Sequence, residues 1–388
     1  MDALSDLPPP AEVIANNVDL LTQILLFLPA KSLIRFKSVS KEWLSLISDS
    51  RFAAKHHGRN PRPSISGFFL GWIYTNQSCK CVSLQGDPTG PSLDYLHRNG
   101  AVKIVCSSNG LLLCSVVCNI YIDHYLVCNP TTQKYTAIHE PRPGVFTQRY
   151  TAIHEPRPGL FSSGVHKLHA LLAFDPSKSP RYKVVFLGYC YQDVGNSYVQ
   201  IDIYCSESAS WKQIRAPCRS LLQAVFCHGV IYWFGYETVM SGFDVDSEKM
   251  IEMKKPLEVR HMQVRYFGEC GGRLVLIQTP NLSAMAFEIL EMDMEDCCWI
   301  VKCFVHLGPL QSVSPQLKNE YREYFILCVL KGETEKDFEL VLTFPEKTIY
   351  YNLKCNSWNV LHVPRGQRIF PLDSCDTAFP SVESLYPL

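Results

Sequence analysis

Apolar residues recur at helical spacing near the start of the chain and at strand spacing through almost all the rest. From Asp19 onward Leu20, Leu21, Ile24, Leu25 and Leu28 follow a helical period, with Asp19 or Asn17 as the cap and Pro29 ending the run. A second short run sets Leu33, Phe36 and Val39 on one side and leaves Arg35 and Lys37 to solvent. A third begins at Ser40, a suitable N-cap, and puts Trp43 and Ile47 on one face ahead of Asp49, Ser50 and Phe52. Three short helices thus occupy about forty residues, too few to bury enough surface against the entropy lost on folding. Their stripe of large side chains is expected to shelter on another subunit. Gly58, Pro61 and Pro63 mark 57–64 as a linker, between a helical module at 15–56, preceded by a flexible tail at 1–14, and a β domain at 65–388.

Beyond the linker the pattern is short β-type runs broken by turn residues. The clearest are Ile65–Tyr74, Ala101–Cys106, Leu111–Val117, Tyr121–Cys128, Tyr182–Tyr191, Tyr198–Cys205, Val225–Phe234, Arg273–Gln278, Phe338–Phe344 and Thr348–Leu353. A weak repeat orders them. Asn129 precedes Tyr135 by six positions, and Cys205 with Trp211, Asp244 with Met250, Asp293 with Trp299 and Asn352 with Trp358 keep the same interval. Asp175 and Tyr182 fit with one extra residue. Such a unit is a strand ending at a polar residue that bonds its own turn, a small loop, then a strand opening on a large ring that packs on its neighbour. Copies at intervals of roughly 30 to 60 residues suit a β-propeller with variable loops. Gly110, Gly229 and Gly272 each enter an apolar strand and suit tight hairpins, above all the Asn109-Gly110 pair. Separately, YTAIHEPRPGVF at Tyr135–Phe146 recurs as YTAIHEPRPGLF at Tyr150–Phe161, a tandem duplication over 135–161. It reads as an inserted, exposed loop carrying Arg142 and Arg157, not as an extra blade.

Charge narrows the partners. Lys+Arg and Asp+Glu each number 37 and the pI is ≈ 7.1, so no basic field exists to attract nucleic acid or an anionic membrane. The N-terminus shows neither a basic start nor an apolar core for a secretory signal, and the longest uncharged stretch, Ile104–Ile122, is broken by Ser107, Ser108, Asn109, Gly110 and Asn119. Seventeen cysteines in such a chain read as reduced thiols, which places it in the cytoplasm, the nucleus or both.

No catalytic constellation assembles. GxSxG, GxxxxGK[ST], GxGxxG and HExxH are all missing, and His139-Glu140 and His154-Glu155 both run into Pro. Cys79/Cys81, Cys114/Cys118 and Cys297/Cys298 lack a matching second pair and His166/His169 stands alone, so neither a metal nor a cofactor is expected. Trp211, Trp299 and Trp358 read as blade packing.

Residues 18–52, VDLLTQILLFLPAKSLIRFKSVSKEWLSLISDSRF, resemble the F-box of plant F-box proteins, although the Leu-Pro that usually opens the motif is Asn16-Asn17 here. SSNGLLLC from Ser107, CNPTTQKY from Cys128, FDPSKSPRYKVV from Phe174, HGVIYWF from His228 and the terminal FPSVESL resemble the F-box-associated, kelch-like domain of the same proteins. The fold expected is therefore an α+β multidomain chain, with a short three-helix F-box followed by an all-β, propeller-like domain. The resemblance implies a non-catalytic substrate receptor of an SCF-type ubiquitin ligase, which binds a Skp-family adaptor and, through it, a cullin scaffold. Adaptor contacts carried over by position are Leu20, Leu21, Ile24, Leu25, Leu28, Pro29, Leu33, Phe36, Val39 and Trp43, some of which must face the module's own interior. The sequence does not single out the residues that bind the protein substrate. Rival readings are a kelch-type scaffold acting outside ubiquitination and a propeller enzyme.

Overall fold

Asn17 opens the first helix. Its Oδ1 accepts from the amides of Asp19 and Leu20, both at 3.1 Å, which decides between the two candidate caps. The computed structural model describes residues 14, 17–59, 65–71, 79–84, 92–118, 121–139, 165–190, 197–218, 220–235, 239–254, 263–280, 285–312, 324–332, 334, 336–345, 347–363 and 377–388. Most of the tail, Asn16, residues 60–64 and the second copy of the duplication, with Arg142 and Arg157, lie outside these residues. The helices lying whole within the described residues are α1 Val18–Leu25, α2 Ala30–Phe36, α3 Lys41–Ser48 and α4 Ser50–Arg59. Ser40 Oγ caps α3 by accepting from Trp43 N at 3.2 Å.

The fourth helix corrects both the count of three and the linker boundary, because α4 continues through residues 57–59. Asp49, with extended backbone, interrupts the helical path and its Oδ1 accepts from Arg51 N at 2.8 Å, starting a new helix at once. Gly58 does not end that helix. A helical glycine costs only about 1 kcal/mol, and burial of Phe52 and Ala53 outweighs it.

The β domain is a closed ring of six antiparallel sheets. Blades one to five span residues 101–138, 165–217, 223–254, 263–306 and 325–362, each with four strands in chain order. The sixth joins Thr377–Val382 to Ile65–Gly71 and then to Lys80–Ser83, paired antiparallel from Ile65 opposite Val382 to Gly71 opposite Thr377 with a shift of register between Ile65 and Gly67. The innermost strands are Ala101–Ser108, Val165–Ala173, Gln223–Cys227, Gln263–Cys270, Phe325–Lys331 and Thr377–Val382, each against the next and the last against the first. The C-terminal strand therefore closes the ring on the first strand of the domain, leaving only the short edges of the innermost strands around the axis.

Each pair of adjacent blades shares an apolar layer. Leu187, Ile201, Trp233 and Phe243 form it between blades two and three, and Val275, Phe287, Leu340 and Tyr351 between blades four and five. None of the described cysteines is in a disulfide, and no helix among the described residues is long and apolar enough to cross a membrane.

The repeat marks the third-to-fourth strand hairpin of the first five blades. Asn129, Cys205, Asp244, Asp293 and Asn352 each end a third strand, and Tyr135, Trp211, Met250, Trp299 and Trp358 are each second in the fourth. Asn129 Oδ1 accepts from Thr131 N and Thr132 N, Asp244 Oδ1 from Asp246 N and Ser247 N, Asp293 Oδ1 from Glu295 N and Asp296 N, and Asn352 Oδ1 from Lys354 N and Cys355 N, at 2.7–3.3 Å. Cys205 substitutes a thiol for the Asx side chain. Burial pushes it up, but the amides of Ser208 and Glu207 outweigh that and its pKa falls below the ordinary value. Every loop then turns through a left-handed residue at one position: Gln133, Ala209, Glu248, Cys297 and Asn356.

Asp175 is not a copy. It lies between the first and second strands of blade two, and the wide interval from Asn129 to Cys205 holds the duplicated segment instead. Val225–Phe234 is likewise two strands, joined by His228-Gly229. That turn, Asn109-Gly110 and Gly271-Gly272 are two-residue hairpins with positive φ at both positions. Trp211 stacks on Phe186 with centroids 5.2 Å apart, the packing expected of it, whereas Trp358 is 39% exposed.

The topology gives the ring two unlike ends. The turns from first to second and third to fourth strand lie at one, here the near end. Second strands end and third strands begin at the other, where Ile138, four residues into the duplication, and Val165, just after it, also lie.

Candidate adaptor interface

α1 is apolar on two adjoining faces, because Leu20, Ile24 and Phe27 follow one i, i+4, i+7 line and Leu21, Leu25 and Leu28 the next. The two lines have different fates. Leu21, Leu25 and Leu33 are buried and join Ile47, Phe52 and Ala53 in an apolar cluster that continues into blades one and two. Its other side is Leu111, Tyr125 and Phe174 of the ring together with Leu385 and Tyr386 of the C-terminal segment. The inner half of the stripe therefore rests on the chain's own propeller at the near end, which corrects the expectation that the whole stripe needs a second subunit. A local pattern reports that a face is apolar, not which surface covers it.

The outer half remains open. Leu20 is 47% exposed, Ile24 46% and Val39 59%, and Pro29 is exposed beside them. Leu28, Phe36 and Trp43 are half-buried, and the Phe36 and Trp43 rings meet edge to face at 5.7 Å. Of the ten candidate contacts, four thus point outward, three sit at the margin and three are interior. Three further apolar residues, Val18, Phe27 and Leu44, are exposed at 61%, 66% and 47%, although the motif did not mark them. For Phe27 the signal was present in its i, i+4, i+7 spacing with Leu20 and Ile24. The Arg59 guanidinium lies 3.9 Å above the Phe27 ring and Arg59 Nη1 donates to Gln23 Oε1 at 3.1 Å, so α4 holds that ring in place at the surface.

The inner contact is polar at its margins. Lys31 N donates to Glu383 Oε2 at 3.0 Å, His56 Nε2 lies 2.8 Å from Leu28 O, and the His57 ring meets Tyr386 at 6.1 Å. Burial lowers the pKa of His57, with Asp175 opposing the shift. Among the described residues no three His, Cys, Asp or Glu side chains converge to hold a metal ion.

Residues 87–379 match the family described as F-box associated beta propeller domain, and residues 4–55 match the F-box domain. The chain belongs to the F-box-associated β-propeller family. F-box protein At5g07610 of Arabidopsis thaliana is 29% identical over 379 residues, covering 88% of this chain and 84% of that protein. F-box protein At5g49610 of the same plant is 26% identical over 375 residues, covering 91% and 93%. Among solved structures, an oligogalacturonate lyase in complex with manganese aligns over 69% of this chain and 66% of its own with a TM-score of 0.40 and 8% identity, too slight a likeness to bear on function. Members of the F-box family with a propeller are in general non-catalytic adaptors, and F-box domains in general bind Skp-family proteins.

Proposed function

We propose that this F-box protein is the substrate-recognition subunit of an SCF-type ubiquitin ligase. In this reading the outer face of the F-box docks on a Skp-family adaptor carried by a cullin scaffold, and the propeller holds a target protein. One observation carries it: Val18, Leu20, Ile24, Phe27, Val39 and Leu44 leave a small module apolar on its outer side, while its inner side already has a partner within the chain. Covering such a face with a complementary groove is favourable, because its apolar surface then leaves water.

The chain supplies no reacting group in this scheme. Its contribution is positional, since holding a target near a thioester made elsewhere raises the effective concentration of target lysines. The F-box takes up part of the near end, so the target belongs at the far end. There Val264 and Phe325, on neighbouring innermost strands, are 38% and 45% exposed, beside Arg265 whose Nη1 donates to Tyr324 O at 3.0 Å. Residence in the cytoplasm or nucleus, where such ligases and reduced thiols coexist, goes with the proposal.

Co-purification with a Skp-family adaptor tests it. Wild type should bind and Leu28→Ala with Pro29→Ala should bind visibly less; a wild-type chain that ignores the adaptor would leave the rival reading, a scaffold outside ubiquitination. Affinity capture under proteasome inhibition, comparing wild type with Phe325→Asp, should then show a target enriched on the former and depleted on the latter.

A further inference from the structure

The last six residues follow the closing strand directly and run beneath the F-box. Each of their anchors ties two otherwise separate parts together. α2 lacks a cap of its own, because Pro29 occupies the N-cap position without a side-chain acceptor. The Glu383 carboxylate takes that role from 352 positions away, accepting from Lys31 N at 3.0 Å. Leu385 and Tyr386 are 5% and 2% exposed within the cluster that joins α1, α2 and α4 to blades one and two. The Tyr386 ring stands edge-on to Phe174 at 5.2 Å and against His57 of α4, and its hydroxyl donates to Pro176 O at 3.0 Å.

Blade one grips the same segment by its backbone. Asn129 Nδ2 donates to Ser384 O at 3.0 Å and to Tyr386 O at 2.9 Å, and Thr131 Oγ1 accepts from Ser384 N at 3.0 Å. This use explains why an amide and not a carboxylate stands at Asn129: its Oδ1 serves the turn and its NH2 group serves the tail. Gly110 gives the segment room, since a Cβ there would come within 2.5 Å of Ser384 Cβ.

We propose that Glu383–Leu388 is a positioning element that fixes the F-box in one orientation on the ring, so that closing the propeller and setting the F-box are a single event. The strand Thr377–Val382 must pair with Ile65–Gly71 before the tail can reach α2, and an unclosed or shortened chain loses the cap on Lys31 N and the Leu385 and Tyr386 packing, leaving the F-box only its linker and the apolar contact with blades one and two. The distance from the adaptor face to the far end is then a fixed property of the closed chain. A receptor that works by positioning needs that constancy.

Hydrogen exchange and small-angle scattering on the full-length protein test this, against a chain ending at Val382 and against Glu383→Ala and Glu383→Gln. In the shortened chain, amides of Ala30–Phe36 should exchange about tenfold faster or more, the scattering profile should broaden to that of two loosely linked bodies, and the strand Val230–Phe234 should keep its protection. Unchanged α2 protection and an unchanged profile overturn the proposal. Should the shortened chain fail to fold, the point variants decide: Lys31 exchange should rise in Glu383→Ala and return towards wild type in Glu383→Gln, which retains an acceptor oxygen. Equal exchange in all three also overturns it. Neither measurement involves an adaptor or a target, so this inference and the ligase reading fail independently.

Discussion

Truncating Phe27 and Leu20 together should weaken adaptor binding while sparing the fold, and truncating Leu33 should do the reverse. Leu33 is 0% exposed inside the cluster between the F-box and the ring, so Leu33→Ala leaves a cavity that costs about 2–5 kcal/mol of stability. Phe27 and Leu20 are 66% and 47% exposed. About a third of the phenylalanine and half of the leucine is buried within the chain, so by area the pair removed by alanine should cost about 2 kcal/mol of folding free energy, with no cavity added because both sites open to water. On a docked adaptor the remaining surface becomes buried, roughly two-thirds of a phenylalanine and half of a leucine, worth about 2.7 kcal/mol in all. That is roughly a hundredfold in Kd. Calorimetric titration with a purified Skp-family adaptor gives the first quantity, and urea unfolding followed by tryptophan fluorescence gives the second. The reasoning fails if Phe27→Ala with Leu20→Ala unfolds the chain as readily as Leu33→Ala, or if the double variant binds with wild-type affinity.

Gly110→Ala should cost about 2 kcal/mol or more in urea melts, because φ is +84° and the new Cβ would meet Ser384 Cβ at 2.5 Å and Val382 O at 3.0 Å. Gly229→Ala, at φ +89°, meets only the flexible end of Lys178 at 3.1 Å and should cost about half as much. The amides of Ser247 and of Asp296 and Glu295 hold the carboxyls of Asp244 and Asp293 below the usual range. A folded pKa below the unfolded one, about 3.9, stabilises the fold above that value and loses the effect as pH falls through the folded one. Urea midpoints should therefore drop on acidification, and Asp244→Asn, which retains the accepting oxygen, should flatten its share of the slope. The Glu291 side chain is fully buried, with Arg273 Nε and Lys302 Nζ each 3.5 Å from its Oε1 and Lys331 Nζ against its Oε2. Glu291→Leu leaves three converging cations without a counter-charge and should cost about 3–5 kcal/mol, whereas Lys302→Met should be mild; thermal unfolding of the two variants checks the order.

Much of the architecture was written locally. Asn17 and Ser40 cap helices by bonds to amides two or three positions on, and Asn109-Gly110 closes a hairpin through its own backbone angles. The Asx-to-ring interval marks a hairpin whose turn is closed by the Asx oxygen accepting from amides two and three positions on. Each of these depends on neighbours a few residues apart, and a reading of order and spacing reaches them. Asp175 misled for the same reason, since an Asx turn looks alike wherever in the blade it occurs.

Tertiary structure decided what is covered and by what. Leu20 and Leu21 are adjacent and chemically identical, yet one is 47% exposed and the other 5%, because only the second meets the ring. No periodicity encodes that difference, for burial is a relation between elements and not a property of either. Glu383 caps a helix 352 positions away, and Thr377–Val382 closes a sheet begun at Ile65, contacts that exist only once the whole ring has formed. Spacing marked out a helical module and a β domain; the last strand and the tail behind it determined how one is held against the other.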